Sequence, residues 1–279
     1  MLYLNTFQTK RCPMGAIGRL GRSIGLCMKH GVGPLDRLKL LYLYSCLQLR
    51  VRLGLSPFLP FWATVRSASG KKARICFSEP SNFWAFDEVF MLEIYLPRSG
   101  TKPKVIFDLG ANVGYATAYL AACFPGAKIY AVEPSQKNFE VLLKNCSSLA
   151  NVKCFRLGMG AKKGRATLYL APVSHAHSLL EMEGSTGSEE VETRNMDEFA
   201  ASEGVQPELV KCDVEGAEFP IFENSSCWEK CNELMGEIHK SAGSPEKFAA
   251  MVRKAGFSVQ LEHEESASPF FYAQKGSRT

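Results

Sequence analysis

From Val105 onward, short apolar runs alternate with longer stretches of helical periodicity. The runs ending at Asp108, Val132, Leu157, Val214 and His239 are brief and largely apolar, with charged residues within or at the ends of some. This marks strands buried on both faces. Tyr115–Phe124 and Ser135–Leu149 read as helices, with Ser135 as the N-cap of the second. Met196–Ala201 starts a short helix, and another is predicted from about Ser244 to Ala255. Phe257–His263 and Phe270–Lys275 close the pattern as two further strands, separated only by Glu264–Pro269. Between the third and fourth strands, Ala166–Leu170 and Val191–Thr193 read as a β-pair, and Pro172–Glu190 as a mobile loop.

Strands alternating with helices imply a parallel sheet. The last connection is too short for a parallel crossover and permits only a hairpin. The expected architecture is therefore an α/β doubly wound, Rossmann-like sheet, parallel through six strands, with the last strand reversed. Nicotinamide-binding domains run parallel throughout, so this ending favours the class I methyltransferase variant.

The region before residue 105 differs. Residues 1–33 lack periodicity and read as a loose tail. Leu35–Leu53 reads as one helix with a basic flank, packed on the body in preference to lying on a membrane or nucleic acid. Phe61–Ser67 and Ala73–Phe77 form a hairpin. Phe83–Tyr95 is an aromatic helix, stopped by Pro97, whose rings belong to a core. The domain division drawn from this pattern is a basic tail and helix over 1–60 and a methyltransferase domain over 61–279.

Charge sharpens that division. Residues 1–75 carry 13 Lys and Arg against a single acid, Asp36, whereas the remainder carries 20 bases against 27 acids. Apolar residues at 46% and charged residues at 22% fit a globular chain with a substantial core. No apolar window reaches membrane-spanning length, and no secretion signal is recognised. Ten scattered cysteines without a CxxC pair suggest reduced thiols and a cytoplasmic setting, with organelle targeting through the acid-poor N-terminus as the alternative. Histidine is too sparse for a Cys/His zinc cluster, and His175-x-His177 has no evident third ligand, so no metal is assigned.

In such sheets ligands bind beyond the carboxyl ends of the strands. Asp108 leads into the turn Gly110-Ala111-Asn112-Val113-Gly114, where glycine allows close backbone approach and the following helix offers free N–H groups. Glu133, followed by Pro134, ends the second strand and is placed to accept the two hydroxyls of a ribose. Gly158 and Gly160 follow the third strand. Lys211, Asp213 and Glu215 gather at the fourth, Glu237 and His239 at the fifth.

The ordered blocks Val-Ile-Phe-Asp-Leu-Gly-Ala-Asn-Val-Gly (105–114), Val-Glu-Pro (132–134), Met-Asp-Glu-Phe (196–199), Val-Lys-Cys-Asp-Val-Glu-Gly-Ala-Glu (210–218) and Glu-Ile-His (237–239) resemble the FkbM family of S-adenosylmethionine-dependent O-methyltransferases. The resemblance covers roughly residues 60–275. It implies a class I methyltransferase fold, S-adenosyl-L-methionine as cofactor, and a hydroxyl acceptor on a sugar-containing or polyketide-like molecule. Cys212 and Pro220 depart modestly from the family pattern.

On this reading Asp108 and the 110–114 backbone hold the methionine part of the cofactor, and Glu133 holds its ribose. Asp213 is the first candidate for the base that takes the acceptor's proton, and His239 the second. Lys211 is either catalytic or an inward strand residue paired with an acid. Glu215 is either catalytic or a cap for the following turn, and Glu218 is structural. The acceptor pocket is expected from loops 80–100 and 172–190. Competing readings are an RNA ribose 2′-O-methyltransferase, a cofactor-binding protein without activity, and a nicotinamide dehydrogenase. DNA is not an expected partner. GxxxG spacing and the terminal hairpin weigh against the dehydrogenase.

Overall fold

The computed structural model describes residues 24–55, 57–171, 177–181 and 184–276. Contacts group the chain into two units, Met1–Glu93 and Ile94–Thr279. The hairpin that the sequence assigns to the methyltransferase domain is grouped with the first unit.

In the first unit, residues 24–30 are helical and Gly31 bridges to Val65, so this stretch is not the loose tail expected up to residue 33. Residues 1–23 of that predicted tail lie outside the described residues. Helix α1 spans Pro34–Leu53. Pro34 sits in its first turn, where no N–H is needed, and the Asp36 carboxylate accepts the Gly33 N–H. Leu40, Leu43, Tyr44, Cys46 and Leu47 are buried. Asp36 also accepts the Thr64 N–H at 3.1 Å, and Lys39 donates to the Trp62 carbonyl at 2.7 Å. These bonds tie α1 to the antiparallel hairpin of β1 (Phe61–Arg66) and β2 (Lys72–Phe77), as a packed helix requires.

The aromatic segment that follows supplies core. Phe83, Phe86 and Phe90 are buried, and Phe86 meets Phe77 edge-on at 5.6 Å. It is not the continuous helix expected to Tyr95. Helix α2 covers only Asn82–Phe86, and Asp87–Met91 widens into a π turn in which the Leu92 N–H reaches the Asp87 carbonyl. Glu93 then takes a left-handed backbone (φ 51°), with its carboxylate held by the Ser69 N–H and hydroxyl. A left-handed residue breaks the helical repeat, so the segment stops there.

The second unit holds β3 (Val105–Leu109), α3 (Tyr115–Cys123), β4 (Lys128–Val132), α4 (Gln136–Cys146) and β5 (Val152–Phe155). Next come β6 (Gly158–Met159), β7 (Gly164–Leu170), β8 (Gly187–Arg194), α5 (Met196–Glu203), β9 (Leu209–Cys212) and α6 (Glu218–Glu223). The chain continues through β10 (Glu233–Glu237), α7 (Pro245–Lys254), β11 (Phe257–Glu262) and β12 (Phe270–Lys275). The central sheet has the order β11-β12-β10-β9-β3-β4-β5. All neighbours are parallel except β12, which runs antiparallel to both β10 and β11. The reversed final strand is thus as expected, and it is inserted between two strands made before it.

Three local expectations are corrected. The third strand ends at Phe155, because Gly158–Met159 leaves the main sheet to pair with β8 in a small sheet ordered β6-β8-β7. The expected loop 172–190 is partly ordered: β8 begins at Gly187, and Ser178 exchanges two backbone hydrogen bonds with Tyr169. Residues 172–176 and 182–183 lie outside the described residues, His175 among them. Ser135 stands at the N-cap of α4, but its side chain makes no cap bond.

Aromatic rings fill the sheet faces. Phe107, Tyr130, Phe155 and Phe199 interlock, with Phe199 centroids 5.2 Å from Phe107 and 5.0 Å from Phe155. Phe222, Phe248, Phe271 and Trp228 form a second cluster at 4.9–5.1 Å. Aromatic pairs of this kind add about 0.5–1.5 kcal/mol each beyond the area they bury. This packing keeps the strand ends, where the polar residues gather, in fixed register.

Candidate functional site

The turn after β3 is shaped by contact with β9. Gly110 has φ 74°, and a Cβ there would lie 1.7 Å from the Asp213 carbonyl oxygen. Only glycine fits. Asn112 is left-handed (φ 50°), a conformation that Asn tolerates better than most residues. The Gly110 and Ala111 N–H groups both donate to the Val132 carbonyl, which binds the turn to the end of β4.

Beneath this turn lies a buried ion pair. Asp108 is fully buried; one oxygen accepts the Thr117 hydroxyl at 2.6 Å, and the other lies 3.2 Å from the Lys211 ammonium. Lys211, 2% exposed, also donates to the Gly110 carbonyl at 2.6 Å, and its ammonium stands 5.2 Å from the centre of the Tyr95 ring. Burial alone would lower the Lys211 pKa, but the Asp108 and Asp213 carboxylates outweigh it and raise it. Of the two readings left open for Lys211, the geometry matches the inward strand residue paired with an acid. Asp108, expected at the cofactor, likewise sits behind the turn with its oxygens committed inward.

Glu133 is 5% exposed at the mouth of β4. One oxygen accepts the Asn112 N–H at 2.8 Å and the other the Ser135 N–H at 2.9 Å. Burial pushes its carboxyl up to about 7, against the lowering effect of those two N–H groups. Two polar atoms close by in sequence, Asn112 Oδ1 and Ser135 Oγ, are buried with no partner. Pro134 follows, half-buried.

Asp213 follows β9. Its Oδ2 accepts the Tyr95 hydroxyl at 2.8 Å, while its Oδ1 is buried without a partner. Sequence reasoning missed Tyr95, because its aromatic neighbourhood reads as core and nothing local marks a residue 118 positions away as its partner. Thr117 was missed for the same reason, one turn into an otherwise apolar helix.

His239 is flanked by carboxylates on both ring nitrogens. Nε2 lies 3.0 Å from Glu215 and Nδ1 2.8 Å from Glu218. Burial would lower its pKa, yet the Glu215 and Glu218 carboxylates prevail and push it up to about 12. An imidazolium bonded on both sides has no lone pair to offer, which works against His239 as the second candidate base. Burial raises the Glu215 carboxyl, opposed by His239. Glu218 is fully buried and accepts the Gly216 N–H, so it, and not Glu215, caps this turn. Glu215 turns to His239 instead, from a left-handed backbone (φ 53°). Asp213, Glu215 and His239 each bring one donor atom within 4.8 Å of the others, a donor set the sequence reading did not assemble. The remaining motif block is a brace: Asp197 takes the Ser226 and Cys227 N–H groups, and Asn195 with Glu198 caps α5.

The nine described cysteines form no disulfide among themselves, and no helix among the described residues is long and apolar enough to cross a membrane.

Residues 108–259, more than half of the chain, match the methyltransferase FkbM domain. The chain is similar to the 31-O-demethyl-FK506 methyltransferase FkbM of Streptomyces tacrolimicus, 25% identical over 74% of this chain and 90% of that protein. It is also similar to the methyltransferase sdnD of Sordaria araneosa, 23% identical over 67% of this chain and 86% of that one. Among solved structures, a fibrillarin pre-rRNA processing protein of Methanococcus jannaschii aligns at 13% identity and a TM-score of 0.45, covering 79% of this chain and 97% of that chain. The chain belongs to the FkbM methyltransferase domain family, with a class I methyltransferase fold and S-adenosylmethionine as its cofactor.

Proposed function

We propose that this protein transfers a methyl group to a hydroxyl oxygen of a sugar-containing or polyketide-like small molecule. The observation that carries the reading is Asp213: Oδ2 is fixed by the Tyr95 hydroxyl, and Oδ1 is buried with nothing to bond. A fixed carboxylate oxygen without a partner is an acceptor for a hydroxyl proton. The name of the Streptomyces relative, which specifies a 31-O-demethyl acceptor, supports oxygen as the atom methylated.

The strand ends fit the cofactor. Glu133 presents a buried carboxylate where a ribose diol would bond, and the unpartnered Asn112 Oδ1 and Ser135 Oγ are orphaned polar atoms that a ligand can satisfy. The 110–114 backbone would face the methionine part, held in shape from behind by Asp108 and Lys211. When bound, the cofactor supplies a methyl group on a sulfonium, already a good leaving arrangement. The protein's task is to align the acceptor oxygen with it and remove that oxygen's proton. In this scheme Asp213 is the base, Tyr95 positions it, and His239 organises Glu215 and Glu218.

The test is calorimetric binding of S-adenosylmethionine and its demethylated product, followed by methyl-transfer assays on hydroxylated polyketides and glycosides. Asp213→Asn is expected to bind the cofactor with wild-type affinity and lose at least about a hundredfold in turnover, the usual contribution of a general base. Turnover that survives the substitution would remove Asp213 from this role. Salt-sensitive retention on RNA, with methylation of ribose, would replace the small-molecule reading with the RNA one.

A further inference from the structure

We propose that Asp213, Glu215 and His239 form a binding site for one divalent cation of the Mn²⁺ or Fe²⁺ type, with Asp213 shared between this site and the methyl-transfer reading. Their donor atoms already lie within 4.8 Å of one another, close enough for small side-chain shifts to bring all three onto one ion. Two carboxylates and one imidazole are a donor set for first-row divalent metals, harder than a zinc cluster and softer than the all-oxygen shell that magnesium prefers.

Charge points the same way. Asp108, Asp213, Glu215 and Glu218 are four carboxylates in one network, Asp108 and Glu218 fully buried and the other two half-buried, and among the described residues Lys211 and His239 oppose them. Two negative charges remain uncompensated, and buried charge without a partner is costly. Three of the carboxylate oxygens, Asp108 Oδ1 (which faces the Lys211 ammonium), Asp213 Oδ1 and Glu218 Oε2, are buried with no hydrogen bond, and Glu218 itself is 0% exposed. A divalent cation that displaces the His239 Nε2 proton supplies one of the two missing charges.

The histidine is also arranged as a ligand. Its Nδ1 bonds Glu218 at 2.8 Å, which fixes the ring and leaves Nε2 facing Glu215. A metal-bound imidazole ordinarily donates its other N–H to a carboxylate in this way. Cation binding displaces the Nε2 proton to solvent, while the Nδ1 proton stays on the Glu218 bond. With three protein donors, the cation keeps positions for water or for an acceptor oxygen. That last role rests on the O-methyl reading; the binding itself does not.

The experiment is titration of the metal-stripped full-length chain with Mn²⁺, followed by electron paramagnetic resonance, with S-adenosylmethionine binding measured on the same samples. One Mn²⁺ per chain is expected, with nitrogen coupling from a single imidazole that disappears in His239→Gln. Glu218→Gln, which keeps the shape of the carboxylate behind the ring, should weaken binding about 10–100-fold. If His239→Gln does not fold, Glu215→Gln must weaken Mn²⁺ binding at least tenfold. Absence of stoichiometric Mn²⁺ binding in the wild type, or binding unchanged in these variants, overturns the proposal. S-adenosylmethionine binding with no Mn²⁺ site sinks the metal alone, whereas Mn²⁺ binding without any methyl transfer to a hydroxyl leaves the site and removes its role at the acceptor.

Discussion

On the proposed ribose role of Glu133, cofactor binding should depend on pH. Its carboxyl is pushed up to about 7 because burial penalises the charged form more than the Asn112 and Ser135 N–H groups favour it. A folded-state value above the ordinary one means the folded protein holds this proton more tightly than the unfolded chain. The stability so gained is complete below about 4.5 and is lost as pH rises through about 7. Ribose hydroxyls donate to the ionised carboxylate, so cofactor binding pulls in the opposite direction and expels the proton. A group titrating at about 7 is about 10% ionised at pH 6 and about 90% at pH 8, so affinity should rise about tenfold, or about 1.4 kcal/mol, over that interval. The assay is calorimetry with S-adenosylmethionine at pH 6, 7 and 8 in two buffers of different ionisation enthalpy, which reads proton release directly. Glu133→Gln serves as the baseline, because the cofactor's own amino group titrates in this range. Affinity that changes less than about twofold, or the same slope in Glu133→Gln, would refute the assignment of the ribose to Glu133.

Two further outcomes test the scaffold. Lys211→Met keeps most of the buried volume but leaves Asp108 charged and unpaired, so it should destabilise the protein by about 3–5 kcal/mol in chemical denaturation; a loss under about 1 kcal/mol would mean the pair is not formed. Gly110→Ala imposes a left-handed backbone on a residue with a Cβ, worth about 1–3 kcal/mol, and forces the Asp213 carbonyl aside. Cofactor affinity and turnover should fall together, and a variant that lost turnover alone would contradict the shared contact.

The architecture was legible because its cause is local. Buried parallel strands are short and apolar, and the six-residue link before Phe270 admits only a hairpin. The candidate site was legible where position along a strand decides placement: Glu133 and Asp213 stand at the strand ends expected for them. It was not legible where a side chain's partner lies far along the chain. Lys211 reads equally as catalyst or strut until Asp108 is seen beside it, and Tyr95 reads as core until its hydroxyl meets Asp213. The turn cap read for Glu215 falls to Glu218, while Glu215, on a left-handed backbone, bonds His239, a pairing no spacing rule records. The π turn at Asp87–Met91 and the departure of Gly158–Met159 to a second sheet are likewise settled by tertiary partners.

The insertion of β12 between β10 and β11 has a consequence for biosynthesis. The ribosome delivers β10 and β11 first, yet neither pairs with the other; both wait for residues 270–275. Until that segment emerges, β10 presents a row of unpaired backbone groups beside a half-finished sheet, the kind of edge that recruits other chains. The half of the sheet that carries His239 therefore closes only after synthesis has passed the hairpin, and premature termination upstream of Phe270 should yield an aggregating product and not a smaller enzyme.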